Sequence, residues 1–201
     1  MKNNFLRRYA AALLALFSFS VVGGAQTAET SEYPNVKIAN FGKMDDRYYR
    51  GAQPLESDYQ SLKDLGVKTV IDLRNDPTTY EKGAVEALGM KYVNIPLNGW
   101  RHPSEAHVEQ FLKLMNDPET GTVYAHCKAG RHRAGMMGGV YRVANYGWDY
   151  DQTYNEMKKF RYSSWVFHGA MKSYVKEFAK KHEAAKSKKA PAETQTAVSV
   201  N

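Results

Sequence analysis

A continuous run rich in β-branched residues, at positions 67–73, most constrains what this chain of 201 residues can fold into. Helical patterns lie on both sides of the run, at residues 57–65 and 78–88. Such a run is typical of a strand that is buried on both faces, as in parallel sheets covered by helices. We therefore expect an α/β domain with a mainly parallel, twisted sheet.

Strands and helices continue to alternate along the rest of the chain. The other predicted strands lie at residues 36–41, 48–50, 91–95 and 122–125. The other predicted helices lie at residues 104–115, 132–146, 151–160 and 165–181. This pattern indicates a central sheet of about four or five strands flanked by helices. The length fits one domain, which we place at residues 33–182.

The first 25 residues have the layout of a secretory signal peptide. Lys2, Arg7 and Arg8 precede an apolar run at residues 10–22, and small residues follow at 23–25. The run is short for a membrane-spanning helix, although an uncleaved membrane anchor is the alternative interpretation. Cleavage removes three cations and lowers the formal net charge from +7 to +4. We expect an exported protein, periplasmic or secreted, without stable membrane insertion after cleavage.

The opposite end of the chain, residues 183–201, is rich in Lys, Ala, Ser and Thr and has no aromatic residue. This composition predicts a disordered basic tail. A basic patch that contacts an anionic lipid or polymer is the functional alternative.

One segment, TVYAHCKAGRHRAG at residues 122–135, concentrates the chemistry. A predicted strand ends at Ala125 and a predicted helix begins at His132, so the loop between them meets the positive end of a helix. Successive backbone N–H groups in such a loop form an anion-binding concavity. Gly130 lets the loop turn without a Cβ clash, and Arg133 supplies a planar fork that matches phosphate oxygens.

Cys127, the single cysteine of the chain, lies at the start of this loop and cannot form an intramolecular disulfide. The helix dipole and the nearby cations Lys128, Arg131 and Arg133 favour its thiolate. A thiolate here can attack phosphorus and form a phosphocysteine intermediate. The loop amides and Arg133 would then stabilise the transition state. The segment therefore predicts a phosphomonoester hydrolase.

The pattern His126-Cys127-x5-Arg133, with Gly130 inside it, resembles the signature of the cysteine-based protein tyrosine and dual-specificity phosphatases. The resemblance to compact bacterial members of the dual-specificity type extends to YRGAQP at 49–54, VKTVIDLR at 67–74 and YVNIPLNGW at 92–100, and covers residues 35–180. It implies that Cys127 is the nucleophile, that Arg133 binds phosphate and that His126 orients the cysteine. It also implies a phosphate-binding loop formed by Lys128, Ala129, Gly130, Arg131 and His132.

Two positions depart from the family pattern. The family usually has Ser or Thr directly after the arginine, where this chain has Ala134, so we expect slow breakdown of phosphocysteine. The family's general acid is an Asp about thirty residues before the cysteine, where this chain has Asn98. Asn98 cannot donate a proton to a leaving alkoxide. The nearby substitutes are Glu105, His102 and Asp76, each of which is alternatively an ordinary surface residue.

The residues around the loop leave the substrate class open. Phosphotyrosine or phosphoserine/threonine proteins are the first interpretation, and the aromatic residues that could flank a phosphotyrosine ring are Trp100, Tyr141, Tyr162 and Trp165. The cations Lys128, Arg131 and His132 favour an inositol phosphate or phosphoinositide instead. A phosphate-binding module without turnover is the interpretation from a different class, suggested by Asn98 and Ala134.

The sequence indicates no cofactor, metal or nucleic-acid partner. It has no nucleotide-binding glycine motif, and its six histidines are scattered along the chain. The oligomeric state is left open by the sequence.

The signal-peptide interpretation predicts the N-terminus of the exported protein. We expect N-terminal sequencing of the exported chain to begin close to residue 26, because the small residues at 23–25 form the cleavage site. Recovery of Met1 or of the apolar run would contradict cleavage and support the membrane anchor.

Overall fold

The computed structural model of the protein describes residues 32–164 and 168–198, with side chains described up to Lys188. The predicted signal peptide at residues 1–25 therefore lies outside the described residues. No helix of the described ranges is long and apolar enough to cross a membrane.

Five strands form one sheet, as the alternating sequence pattern predicts. They are β1 (Gly42–Asp45), β2 (Tyr48–Ala52), β3 (Val67–Arg74), β4 (Lys91–Leu97) and β5 (Thr122–Cys127). Their order across the sheet is β1-β2-β5-β3-β4. The β1–β2 pair is antiparallel, whereas β2–β5, β3–β5 and β3–β4 are parallel. The prediction of a mainly parallel α/β sheet is confirmed.

Helices cover both faces of this sheet. They are α1 (Tyr59–Asp64), α2 (Glu81–Ala87), α3 (Glu105–Asn116), α4 (Arg133–Tyr141), α5 (Tyr150–Lys159) and α6 (Gly169–Val198). Residues of α1 and α2 pack in one hydrophobic cluster, and residues of α3 to α6 pack in the other. A π-helical turn, Arg142–Tyr146, prolongs α4 and ends at Gly147, whose φ of 66° suits a glycine.

Strand β3 is buried on both faces. Val70 and Ile71 are both fully buried, and they belong to opposite clusters because successive side chains of a strand point to opposite faces. The sheet neighbour β5 has the same arrangement at Tyr124 and Ala125. Because β3 and β5 are both packed between the two clusters, the end of β5 and the start of the following loop have a fixed position in the fold.

Two predicted segments differ from the structure. Residues 36–41 are irregular rather than a strand, because Asn40 adopts a left-handed φ of 55° that ends any extended conformation. Helix α6 continues to Val198 through most of the segment predicted as a disordered tail. The abundance of Ala, Lys and Glu, which are good helix formers, accounts for that difference.

Candidate active site

The loop at residues 127–133 lies at the carboxyl end of the central strand β5. Strand β5 ends at Cys127 and α4 begins at Arg133, so the loop meets the positive end of the helix dipole. Ligands of open α/β sheets bind at this edge. The side chain of Cys127 is buried and is not in a disulfide. The geometry matches the anion-binding strand–loop–helix expected from the sequence.

Gly130 is the point where the loop turns over the sheet. Its φ is 65°, and a Cβ at this position would lie 2.3 Å from the carbonyl carbon of Gly51. Its carbonyl oxygen accepts hydrogen bonds from Arg50 Nη2 at 2.7 Å and from Asn40 Nδ2 at 2.9 Å. These two hydrogen bonds fix the position of the loop at Gly130, and only glycine fits the turn.

Arg50 is a fully buried cation under the loop, with 1% of its surface exposed. Its guanidinium lies 4.3 Å from the centre of the Phe160 ring, a cation–π contact. Burial lowers the pKa of Arg50, and the neighbouring Tyr48 and Cys127 oppose that shift. Sequence reasoning missed this role, for which the YRGAQP segment was the only signal.

The guanidinium of Arg133 is held by the ends of two other strands. Its Nη1 donates to Asn75 Oδ1 at 2.9 Å and to the carbonyl oxygen of Leu97 at 3.3 Å, and it lies 3.8 Å from Asp76 Oδ1. A hydrogen bond from Arg74 lowers the pKa of Asp76 and outweighs the opposing effect of desolvation, and the charges of Arg74 and Arg133 add to the lowering. Asp76 is therefore a carboxylate at neutral pH.

Cys127 and Arg133 open into one pocket of about 450 Å³. The residues that line it come from the loop, from the segments after β3 and β4, and from the start of α6; they are Cys127, Lys128, Ala129, His132, Arg133, Asn75, Asp76, Gly99, Trp100, His168 and Met171. Four separate parts of the chain therefore form the site.

Three aromatic rings stack along one wall of this pocket. The ring centroids of His132 and His168 are 3.5 Å apart, and those of His168 and Trp100 are 5.1 Å apart with nearly parallel planes. His132 Nε2 donates to the carbonyl oxygen of Ser163 at 3.1 Å. Burial, followed by the neighbouring His168, lowers the pKa of His132 to about 4. His132 is therefore neutral at neutral pH.

Several residues suggested by the sequence lie away from the pocket. His102 and Glu105 line a separate groove between α3 and α6 instead. Arg131 is exposed and is not among the pocket-lining residues. Asn98 is also exposed, and its Oδ1 accepts a hydrogen bond from the backbone N–H of Trp100 at 2.8 Å. The structure brings only Asp76, of the three suggested proton donors, to the pocket.

The suggested aromatic residues divide in the same way. Trp100 lines the pocket, whereas the hydroxyl of Tyr141 donates to Asp45 at 2.7 Å. Tyr162 is buried, and its ring contacts the ring of His132 edge-on. Trp165 lies outside the described residues.

His126, the residue before the cysteine, belongs to a buried cluster with two carboxylates. Its Nε2 lies 2.6 Å from Glu81 Oε1 and 4.0 Å from Asp72 Oδ1, and all three side chains are fully buried. Burial acts to raise the pKa of Glu81, but hydrogen bonds from His126, Gln53 and Tyr59 outweigh it and lower that pKa. Burial raises the pKa of Asp72, which the charge of Glu81 reinforces.

Imidazole and carboxylate groups are also metal ligands, and the three donor atoms of Asp72, Glu81 and His126 lie within 4.8 Å of one another. However, Glu81 and His126 bind each other directly, and Asp72 accepts hydrogen bonds from the backbone N–H of Arg74 and from Tyr92. The cluster is therefore organised as a hydrogen-bond network.

That network continues to the other end of the loop at residues 127–133. Gln53 donates to Glu81 Oε2 at 3.0 Å and accepts from Arg74 Nη1 at 2.8 Å. Arg74 forms an ion pair with Asp76 at 3.2 Å, and Asp76 approaches Arg133. Side chains that sequence reasoning missed thus connect the start of the loop to its end.

Comparison with known proteins agrees with this geometry. The model of a family described as "DSP-PTPase phosphatase fused to NAD+ Kinase" matches residues 24–194. The chain belongs to this phosphatase family. It is an enzyme of the cysteine-based tyrosine and dual-specificity type, as the His126–Arg133 signature implied.

The chain is also similar to individual phosphatases, in sequence to two relatives and in fold to a solved structure. The chain is 29% identical to the probable tyrosine-protein phosphatase DG1060 of Dictyostelium discoideum, over 60% of this chain and 75% of that protein. It is 28% identical to the dual specificity protein phosphatase TpbA of Pseudomonas aeruginosa, over 77% and 72%. The catalytic core of the PP-IP phosphatase SIW14 of S. cerevisiae has the same fold, with a TM-score of 0.62, 18% identity and coverage of 73% and 94%.

The buried network predicts that Glu81 is far more important to stability than a surface glutamate of the same helix. We expect Glu81→Ala to lower the free energy of unfolding by about 3–5 kcal/mol, because it leaves His126 and Gln53 without their buried partner. Urea denaturation measures this. The exposed Glu86 of α2 provides the matched control, Glu86→Ala, which should change stability by less than about 0.5 kcal/mol. Equal losses in the two variants would contradict the role of the network.

Proposed function

We propose that this chain hydrolyses phosphomonoesters through a phosphocysteine at Cys127 and that it prefers aryl phosphates, phosphotyrosine of proteins above all. The observation that carries the proposal is the convergence of Cys127 and Arg133 on one pocket at the positive end of α4. Binding alone would need only the arginine and the loop amides, so a cysteine inside the pocket favours chemistry over a phosphate-binding module.

The proposed reaction has two steps. The Cys127 thiolate attacks phosphorus, the bond from phosphorus to the leaving oxygen breaks, and that oxygen takes up a proton. Water then attacks phosphorus, the phosphorus–sulfur bond breaks, and the thiolate and inorganic phosphate are released. The guanidinium of Arg133 and the loop amides stabilise the charge on the three phosphate oxygens that neither enter nor leave.

The walls of the pocket support the preference for an aryl phosphate. Trp100 is 59% exposed and extends the ring stack of His132 and His168 toward solvent. His132 carries no charge at neutral pH, and the carboxylate of Asp76 lies in the same pocket. An aromatic wall and a nearby negative charge suit one phosphate on a ring better than a polyanion. The relative TpbA is named a dual specificity protein phosphatase.

An inositol phosphate is the second candidate substrate. Lys128 lines the pocket and Arg131 is exposed beside it in the loop, so both cations can meet further phosphates at the rim. The structural neighbour SIW14 is described as a PP-IP phosphatase.

We also propose that the enzyme acts after export, on the basis of the signal-peptide pattern at residues 1–25. A reactive thiolate outside the cytosol is open to oxidation, so activity would depend on a reductant there.

A phosphate-release panel tests the proposal. We expect the chain without residues 1–25, assayed under reducing conditions, to release phosphate from phosphotyrosine peptides faster than from phosphoserine peptides or inositol polyphosphates. Release should disappear in Cys127→Ser, which retains the shape of the loop but lacks the thiolate. Faster release from inositol polyphosphates would select the second candidate. Binding of phosphate without release from any substrate would favour the non-catalytic module.

A further inference from the structure

The position expected for the general acid, Asn98, supplies no proton for the poor leaving groups of the phosphatase reaction. An alkoxide from serine or threonine must be protonated as it leaves, whereas a nitrophenolate leaves without help. Asn98 cannot donate and is engaged with the backbone of Trp100. Asp76 is held as a carboxylate by Arg74 and Arg133, and His132 is neutral, with its Nε2–H committed to Ser163. These residues leave one further imidazole in the pocket.

That imidazole, His168, is fixed in orientation from three directions. The ring of His132 stacks on the ring of His168, with the two ring centroids 3.5 Å apart. The indole of Trp100 also stacks on His168, with an interplanar angle of 9°. Its Nδ1 donates to the carbonyl oxygen of Gly99 at 3.1 Å. Within residues 32–164 and 168–198, Nε2 of His168 makes no hydrogen bond. The Nδ1 contact thus leaves Nε2 as the nitrogen that can exchange a proton.

We propose that His168 is a catalytic acid of this enzyme and gives the proton of Nε2–H to the oxygen of the leaving alcohol. The inference rests on the proposed phosphocysteine reaction and adds the proton donor to it. As the phosphorus–oxygen bond breaks, the proton moves from imidazolium to that oxygen and leaves neutral imidazole. The same nitrogen then takes a proton from the water that attacks phosphocysteine, which restores the imidazolium.

Charged and titratable side chains from several elements face His168. Lys128, Arg133 and Asp76 line the same pocket, His132 stacks on the ring, and Lys172 lies one turn further along α6. The Gly99 carbonyl accepts from Nδ1–H in both protonation states of the ring, so the ring need not move during turnover. The stack and this hydrogen bond provide the fixed orientation that proton transfer requires.

Substitution of His168 by asparagine tests the proposal. The amide of asparagine can still donate to the Gly99 carbonyl from the position of Nδ1, but it supplies no acidic proton. We expect His168→Asn to lower kcat/KM for an alkyl phosphate, a phosphoserine peptide, by about 10²–10⁴-fold. The loss for 4-nitrophenyl phosphate should be far smaller, because its leaving group needs no proton. Equal losses for the two substrates would overturn the role as an acid.

Asp76→Asn serves as the matched comparison, because Asp76 is the carboxylate that lines the pocket beside Arg133. It should not reproduce the selective loss on the phosphoserine peptide. A selective loss in Asp76→Asn, with none in His168→Asn, would assign the acid to Asp76 and overturn the proposal. His168→Gln is the second variant if His168→Asn fails to fold, and the same selective loss is expected from it.

Comparison of wild type with Cys127→Ser distinguishes a failure of the His168 proposal from a failure of the proposed function. If wild type releases 4-nitrophenol and Cys127→Ser does not, the cysteine reaction stands and the His168 comparison decides the acid. If release persists in Cys127→Ser, the phosphocysteine reaction fails, and the proton donor inferred for it fails with it.

Discussion

The contact between the buried guanidinium of Arg50 and the carbonyl oxygen of Gly130 is the interaction on which the site depends. A cation taken out of water is costly, and no carboxylate of the described residues pairs with this one. Its compensation comes from the Gly130 carbonyl, at 2.7 Å, and from the ring of Phe160. The Gly130 carbonyl takes this place only when the loop turns over β2. The buried charge thus favours the loop conformation that presents Cys127 at the pocket.

The network behind His126 adds a second constraint on the same loop. Glu81 holds His126 at the start of the loop, and the chain of contacts through Gln53 and Arg74 reaches the carboxylate beside Arg133. The two ends of the loop, at Cys127 and Arg133, are therefore connected by one set of hydrogen bonds and ion pairs. In the proposed reaction, such fixed geometry lowers the cost of bringing the thiolate and the phosphorus atom together.

The sequence predicts the parts of the structure that depend on local pattern. The β-branched run of β3 and the cysteine-to-arginine loop are contiguous in the chain, so their periodicity and spacing carry the information. The residues that sequence reasoning missed act across long separations, with Glu81 lying 45 positions from His126 and His168 lying 69 positions from Gly99. Candidate acids chosen for closeness along the chain, such as His102, line the groove between α3 and α6 instead of the pocket. The irregular segment before β1 was missed because Asn40 adopts a left-handed conformation, and its side chain donates to the distant carbonyl oxygens of Gly130 and Phe160.

The measurement that tests the account most directly is chemical trapping of the intermediate. Wild-type enzyme is mixed with an aryl phosphate, quenched in the first turnover, digested and mapped by mass spectrometry. The account predicts phosphate on the peptide that contains Cys127, and it predicts accumulation because Ala134 has no hydroxyl to assist breakdown of phosphocysteine. Steady phosphate release with no phosphate on Cys127 at any quench time would contradict it.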